Sequence, residues 1–139
     1  MTWLQTNWPF LLMLALFSYL FLWDRLEARM VGVENISVQD LAAKLGSADP
    51  PLLVDVRTPR EFNAGHIRQA VLVPLSELRQ RTESLLQKNP GRDVAVVCQS
   101  GNRSLKGSVI LKRAAGETRV YNVVGGTSTW RGQGYSVGQ

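Results

Sequence analysis

Four short apolar runs constrain this chain most. Leu52–Val56, Val71–Val73, Asp93–Val97 and Arg119–Val124 are each brief and nearly continuous in apolar residues. A strand with one wet face alternates apolar and polar side chains, whereas a continuous run marks a strand buried on both faces. Helical patterns lie between the runs. Ser37 reads as an N-cap with Asp40 three residues on, and Val38, Leu41, Ala42 and Leu45 then share one face. Gly46 and Asp49-Pro50-Pro51 end that helix. Pro59, after Thr58, suits the first position of another. Residues 76–86 place Leu78 and Leu85 on one side with Leu75, and residues 105–115 place Gly107, Ile110, Leu111 and Ala114 on one face. Buried strands alternating with amphipathic helices predict an α/β fold, a central parallel sheet with helices on both faces.

Ligands of such sheets sit beyond the carboxyl ends of the strands. Asp55, Pro74, Cys98 and Gly125-Gly126 all lie at such ends. Cys98 opens the stretch Cys98-Gln99-Ser100-Gly101-Asn102-Arg103-Ser104, between an apolar strand and a helix. A small, polar, glycine-containing loop there can turn successive backbone N–H groups inward as an anion nest, and the helix adds its positive N-terminal end. Both favour a thiolate over a thiol. Arg103 can add a full positive charge or bond the loop's own carbonyls. The plainer alternative is a free cysteine packed inertly at a strand end.

The chain has one cysteine and one histidine. An internal disulfide is therefore impossible, and a closed structural zinc site is not expected. The formal net charge is +5, with the basic residues scattered rather than run together. That pattern reads as a solvated surface and gives no reason to expect a nucleic-acid partner.

Residues 1–23 carry no charged side chain, and residues 8–23 read WPFLLMLALFSYLFLW. With Trp3 and Leu4 the apolar stretch reaches about 20 residues, roughly 30 Å as a helix, which matches a bilayer core. Trp3, Trp8 and Trp23 fall near its ends, where indole rings favour the interface. A signal peptide would carry a basic start and a small-residue cleavage site; no Lys or Arg precedes Arg25, and no such site follows. A buried core helix is the remaining alternative. The expected division is a transmembrane anchor over 1–24, a polar connector over 25–34 and a folded domain over 35–139. Arg25 and Arg29 follow the span and none precede it, so the positive-inside rule puts the N-terminus outside and the domain in the cytoplasm, on the inner membrane.

Over residues 35–135 the chain resembles a single rhodanese domain, the sulfurtransferase fold. The resemblance rests on Asp55-Val56-Arg57 with Glu61-Phe62, on Gly65-His66-Ile67 with Ala70 and Pro74, on the Cys98–Ser104 loop, and on Gly125-Gly126 with Trp130. Arg68-Gln69 departs from it, where the family often has Pro-Gly. The resemblance implies that Cys98 is the catalytic nucleophile, which takes the outer sulfur of thiosulfate or a persulfide and passes it to a thiol or cyanide. It implies that the loop Gln99, Ser100, Gly101, Asn102, Arg103 and Ser104 holds the substrate, with backbone amides on the terminal sulfur. It places His66 in a structural turn. Asp55 and Arg57 read as supporting residues, a structural ion pair or a tie to the loop backbone, with a substrate-binding pair as the alternative. The resemblance calls for no cofactor. The related cell-cycle phosphatases have a loop one residue longer between Cys and Arg, which fits a phosphate; the shorter loop here suits a single sulfur. A tethered binding or regulatory module with little turnover is the alternative function.

Overall fold

The computed structural model describes residues 3–139. In chain order the elements are α1 (Trp3–Val31), β1 (Glu34–Ile36), α2 (Val38–Leu45), β2 (Leu52–Asp55), α3 (Pro59–Asn63), β3 (Val71–Leu72), α4 (Leu75–Gln87), β4 (Val94–Val97), α5 (Asn102–Ala115), β5 (Val120–Val123) and α6 (Gly126–Gly132). The five strands form one parallel sheet in the order β1-β5-β4-β2-β3.

Period-two alternation along the central strands feeds two cores. Val94 and Val96 of β4 point to the face covered by Leu78 of α4 and Leu111 of α5, and Cys98 joins the same cluster. Ala95 and Val97 point to the other face, with Leu41 of α2 and Trp130 of α6. Every residue of β2, β4 and β5 is buried, which is why these strands read as continuous apolar runs. The expected three-layer α/β architecture is the one observed.

The helix starts follow the local chemistry. Ser37 and Asp40 form a reciprocal capping box at α2, and Thr58 and Glu61 form one at α3, with Pro59 in its first turn. The polar stretch 25–34 is not an irregular connector. α1 runs on through it to Val31, and Glu34 already belongs to β1. Ala28 is buried there, and Asp24 and Glu27 pair with Lys106 and Arg113 of α5. β1 is short and only Ile36 is buried in it, so it leaves no apolar run to read.

The first part of α1 is the opposite of a core helix. It meets the length and hydropathy of a membrane span, and none of its most apolar window is buried. Phe10, Leu12, Met13, Phe17 and Leu20 are all exposed.

Candidate active site

β4 ends at Val97 and delivers Cys98 to the sheet's carboxyl edge, where the residue is 1 % exposed. The chain then turns back over the sulfur. Gly101 caps α5 with φ +104°, in the left-handed region, and its N–H donates to Cys98 Sγ at 3.1 Å. Ser104 Oγ, one turn into α5, lies 3.4 Å from Sγ. Burial pushes the thiol's pKa up. The contact with Ser104 Oγ, which accepts from the thiol, and the amides of Ser104, Gly101 and Ser100 outweigh that and hold it below its ordinary value.

The inward aim of these amides has a cause on the far side of the loop. The first amides of α6 grip its carbonyls: Thr127 N–H donates to Cys98 O at 2.8 Å, and Ser128 N–H to Gln99 O at 3.1 Å. With its carbonyls fixed outward, the loop presents its following N–H groups to the sulfur. Gly126, with φ +56°, makes this approach possible, since a Cβ there would collide with Cys98 O and the Gln99 backbone. Gln99 adds a side-chain tie, donating from Nε2 to Ser128 Oγ at 2.9 Å while Oε1 accepts from Thr127 Oγ1 at 3.1 Å.

Ser104 is itself held from below. It is fully buried and donates to Asn122 Oδ1 at 2.7 Å, and Asn122 Nδ2 donates to Asn35 Oδ1 at 2.9 Å. Asn122 is the one polar residue of β5, and it shares a sheet face with Val120 and the sulfur. Its place in an otherwise apolar run was the sequence's signal for this support.

Asp55 and Arg57 sit at the end of neighbouring β2, at 0 % and 1 % exposure. Arg57 Nη2 reaches Asp55 Oδ2 at 2.8 Å, and Nε contacts both carboxylate oxygens at 3.0 Å. Nη2 also donates to Gly65 O at 3.0 Å, and Nη1 reaches Gln99 Oε1 at 3.5 Å. The pair ties β2, the Gly65 turn and the loop together.

Arg103 does not bond the loop's carbonyls, one of its two anticipated roles. Its guanidinium forms a two-point pair with Glu61 of α3, at 2.8 and 2.6 Å. Arg103, the largest influence, with the Thr58 bonds, overcomes burial and lowers the Glu61 carboxyl to about 2. The charge of Arg103 still acts on Cys98 through space. His66 is held by Phe62, stacked on its ring at 3.7 Å with Nδ1 3.0 Å from its carbonyl oxygen. Trp130 packs in the core, stacks on Tyr135 and donates to Ser136 O at 3.0 Å. Among the described residues no cluster suited to a metal ion occurs.

Parallel sheet, strand-end cysteine and inward-facing amide loop are the features on which the resemblance to the rhodanese family rests. The family model for the rhodanese-like domain matches residues 37–133, and the chain belongs to that family. It is 40 % identical over 81 residues to YqhL of Bacillus subtilis, covering 58 % of this chain and 61 % of that one. It is 32 % identical over 105 residues to a sulfurtransferase of Allochromatium vinosum, covering 76 % of this chain and 94 % of that one. The crystal structure of a rhodanese-related protein from Thermoplasma volcanium superposes with a TM-score of 0.65 at 30 % identity, over 76 % of this chain and 97 % of its own.

Proposed function

We propose that this protein is a membrane-anchored sulfurtransferase that carries sulfur as a persulfide on Cys98. The observation that supports it best is the set of amides and the Ser104 hydroxyl converging on a buried thiol whose pKa they lower. A thiolate held this way is ready without a general base, and His66 is engaged elsewhere.

In the first half-reaction the Cys98 thiolate attacks the outer sulfur of thiosulfate. The bond to the sulfonate sulfur breaks, sulfite leaves with the electron pair, and Cys98 keeps a terminal sulfur bearing the negative charge. The amides of Ser100, Gly101 and Ser104 are the groups placed to receive that charge, as preorganised dipoles in a site shielded from water. In the second, a thiolate or cyanide attacks the terminal sulfur and Cys98 leaves as the thiolate it was. The Asp55–Arg57 pair and Gln99 keep the loop in register, and Arg103 adds positive potential from a position fixed by Glu61.

α1 supplies the anchor. Its exposed apolar half has no protein to pack on, while its polar half is docked on α5 through Ala28, Asp24 and Glu27. A removable leader would not contribute to the domain's packing in this way. The arginines after the span favour a cytoplasmic domain, where reducing conditions keep the thiol free.

Intact-mass spectrometry of the full chain in detergent tests the chemistry. Thiosulfate should add one sulfur, about 32 Da, that cyanide removes and that Cys98→Ser never gains. No adduct with thiosulfate or a small persulfide would move the assignment to a tethered binding module.

A further inference from the structure

α1 ends at Val31, and only Gly32 and Val33 separate it from β1. So short a connection reverses the chain, and α1 therefore runs against β1. β1 is parallel to β5, and β5 to β4. α5 carries the chain from the end of β4 back to the start of β5, so it too runs against the strands. α1 and α5 thus point the same way. Their ion pairs agree: Asp24 meets Lys106 at 3.4 Å, and Glu27 meets Arg113 further along both helices. The apolar part of α1 precedes Asp24, so it projects past the N-terminal end of α5. That end carries the Cys98 loop. If α1 enters a bilayer, the active edge of the domain faces it.

The flanks of α1 differ in charge compensation. Asp24 and Glu27 are both engaged by α5. Arg25 and Arg29, one turn apart, have no carboxylate partner among the described residues; Arg25 lies only over the Phe21 ring. Both line a cavity of about 570 Å³ whose other walls include Ser100, Gly101 and Asn102 of the active loop and Asn122. One wall thus carries two arginines, and another is the loop that bends over the sulfur. Guanidinium donors match the oxygens of a tetrahedral anion in charge and geometry.

The geometry points to an oxyanion subsite built by Arg25 and Arg29 beside the active loop, one that takes a sulfo or phospho group. Two sources have this chemistry: the sulfonate end of a thiosulfate-class donor, docked for transfer, and the phosphate of an anionic phospholipid at the membrane surface. The inference rests on the reading of α1 as an anchor and deepens the Cys98 assignment, because the anchor then supplies part of the substrate site.

Sulfate binding to the full-length Cys98→Ser chain, measured by calorimetry in dodecyl maltoside, tests it without requiring sulfur transfer. Failure of the persulfide chemistry would leave this readout intact. Adding Arg25→Gln and Arg29→Gln should weaken sulfate binding by about tenfold or more, the loss of two charge-assisted contacts. Adding Arg79→Gln, on the opposite flank of α1, should not. The source is then read in the Cys98 protein. A higher KM for thiosulfate in the double variant, with kcat at saturating acceptor retained, assigns the site to the donor. An unchanged KM, with phosphatidylglycerol retained in native mass spectra by the parent and lost by the double variant, assigns it to lipid. Equal sulfate affinity with and without the two arginines, or no sulfate binding at all, overturns the subsite.

Discussion

Two buried polar constellations stand side by side at the carboxyl edge of the sheet, one after β2 and one after β4. The Asp55–Arg57 pair is closed: the carboxylate is bonded from Nε, Nη2 and the Arg57 amide, and the guanidinium has Gly65 and Gln99 besides. The Cys98 group is open. Amides converge on the sulfur, no cation among the described residues bonds it directly, and Ser104 Oγ touches it while donating its own proton to Asn122. Burial is equal in the two, so burial alone does not mark function. A closed set of partners makes a brace, and a set of donors aimed at a single atom is the arrangement on which the proposed reactivity of Cys98 rests.

Cys98→Ser cuts most sharply into this contrast. It should abolish the sulfur adduct while leaving the melting temperature within a few degrees, read by mass spectrometry and thermal unfolding. A persulfide surviving in that variant would refute the open centre.

Gly126→Ala should separate loop geometry from loop chemistry. Every donor remains, but a methyl group meets the carbonyl of Cys98, and the positive φ strains the new residue by roughly 1–3 kcal/mol. Adduct formation should fall by at least about a hundredfold, since misplacement of about 1 Å suffices for that. Near-normal transfer would mean the α6 clamp does not shape the loop.

Asp55→Asn should act on stability, because it strands a buried guanidinium. A loss of about 3–5 kcal/mol is expected in denaturant unfolding. A loss below about 1 kcal/mol would show that the brace is not needed.

Ser104→Ala should raise the pH midpoint of iodoacetamide labelling at Cys98, since it removes the main side-chain bond that favours the thiolate. An unchanged midpoint would leave the amides as the whole cause.

The smallest effect belongs to Glu61. Its pKa falls on folding to about 2, so its pairing stabilises the protein above the unfolded carboxylate pKa. That contribution disappears as pH drops through the folded value. The partners are 38 % and 32 % exposed, so screening keeps it below about 1 kcal/mol. Arg103→Ala should flatten the acid limb of a stability–pH curve by that amount. Through its charge near Cys98, it should also slow sulfur transfer several-fold. Normal transfer would make Arg103 purely structural.

The open centre was more legible in the sequence than the supports around it. Cys98 announces itself by standing between a four-residue apolar run, Val94–Val97, and a helix, and the sheet by runs buried on both faces. β1 escaped because three residues with one buried side chain do not make a pattern. The continuation of α1 escaped because its polar residues resemble a linker until α5 is placed against them. α6 was visible only as a glycine turn, and its grip on the loop depends on backbone groups that side-chain identity does not encode. The Glu61–Arg103 and Asn35–Asn122 contacts join residues 42 and 87 positions apart. Only the folded sheet brings them together.

The single cysteine has a kinetic corollary. A carrier with a second thiol could expel its sulfur or repair an oxidised centre within one molecule; this chain has no other thiol. On the proposed mechanism, each discharge of Cys98 is an encounter with a separate acceptor, first order in that acceptor's concentration. Confinement to a bilayer would replace a search through a volume with a search over an area, and an acceptor confined to the same surface would meet the sulfur far more often than one diffusing freely.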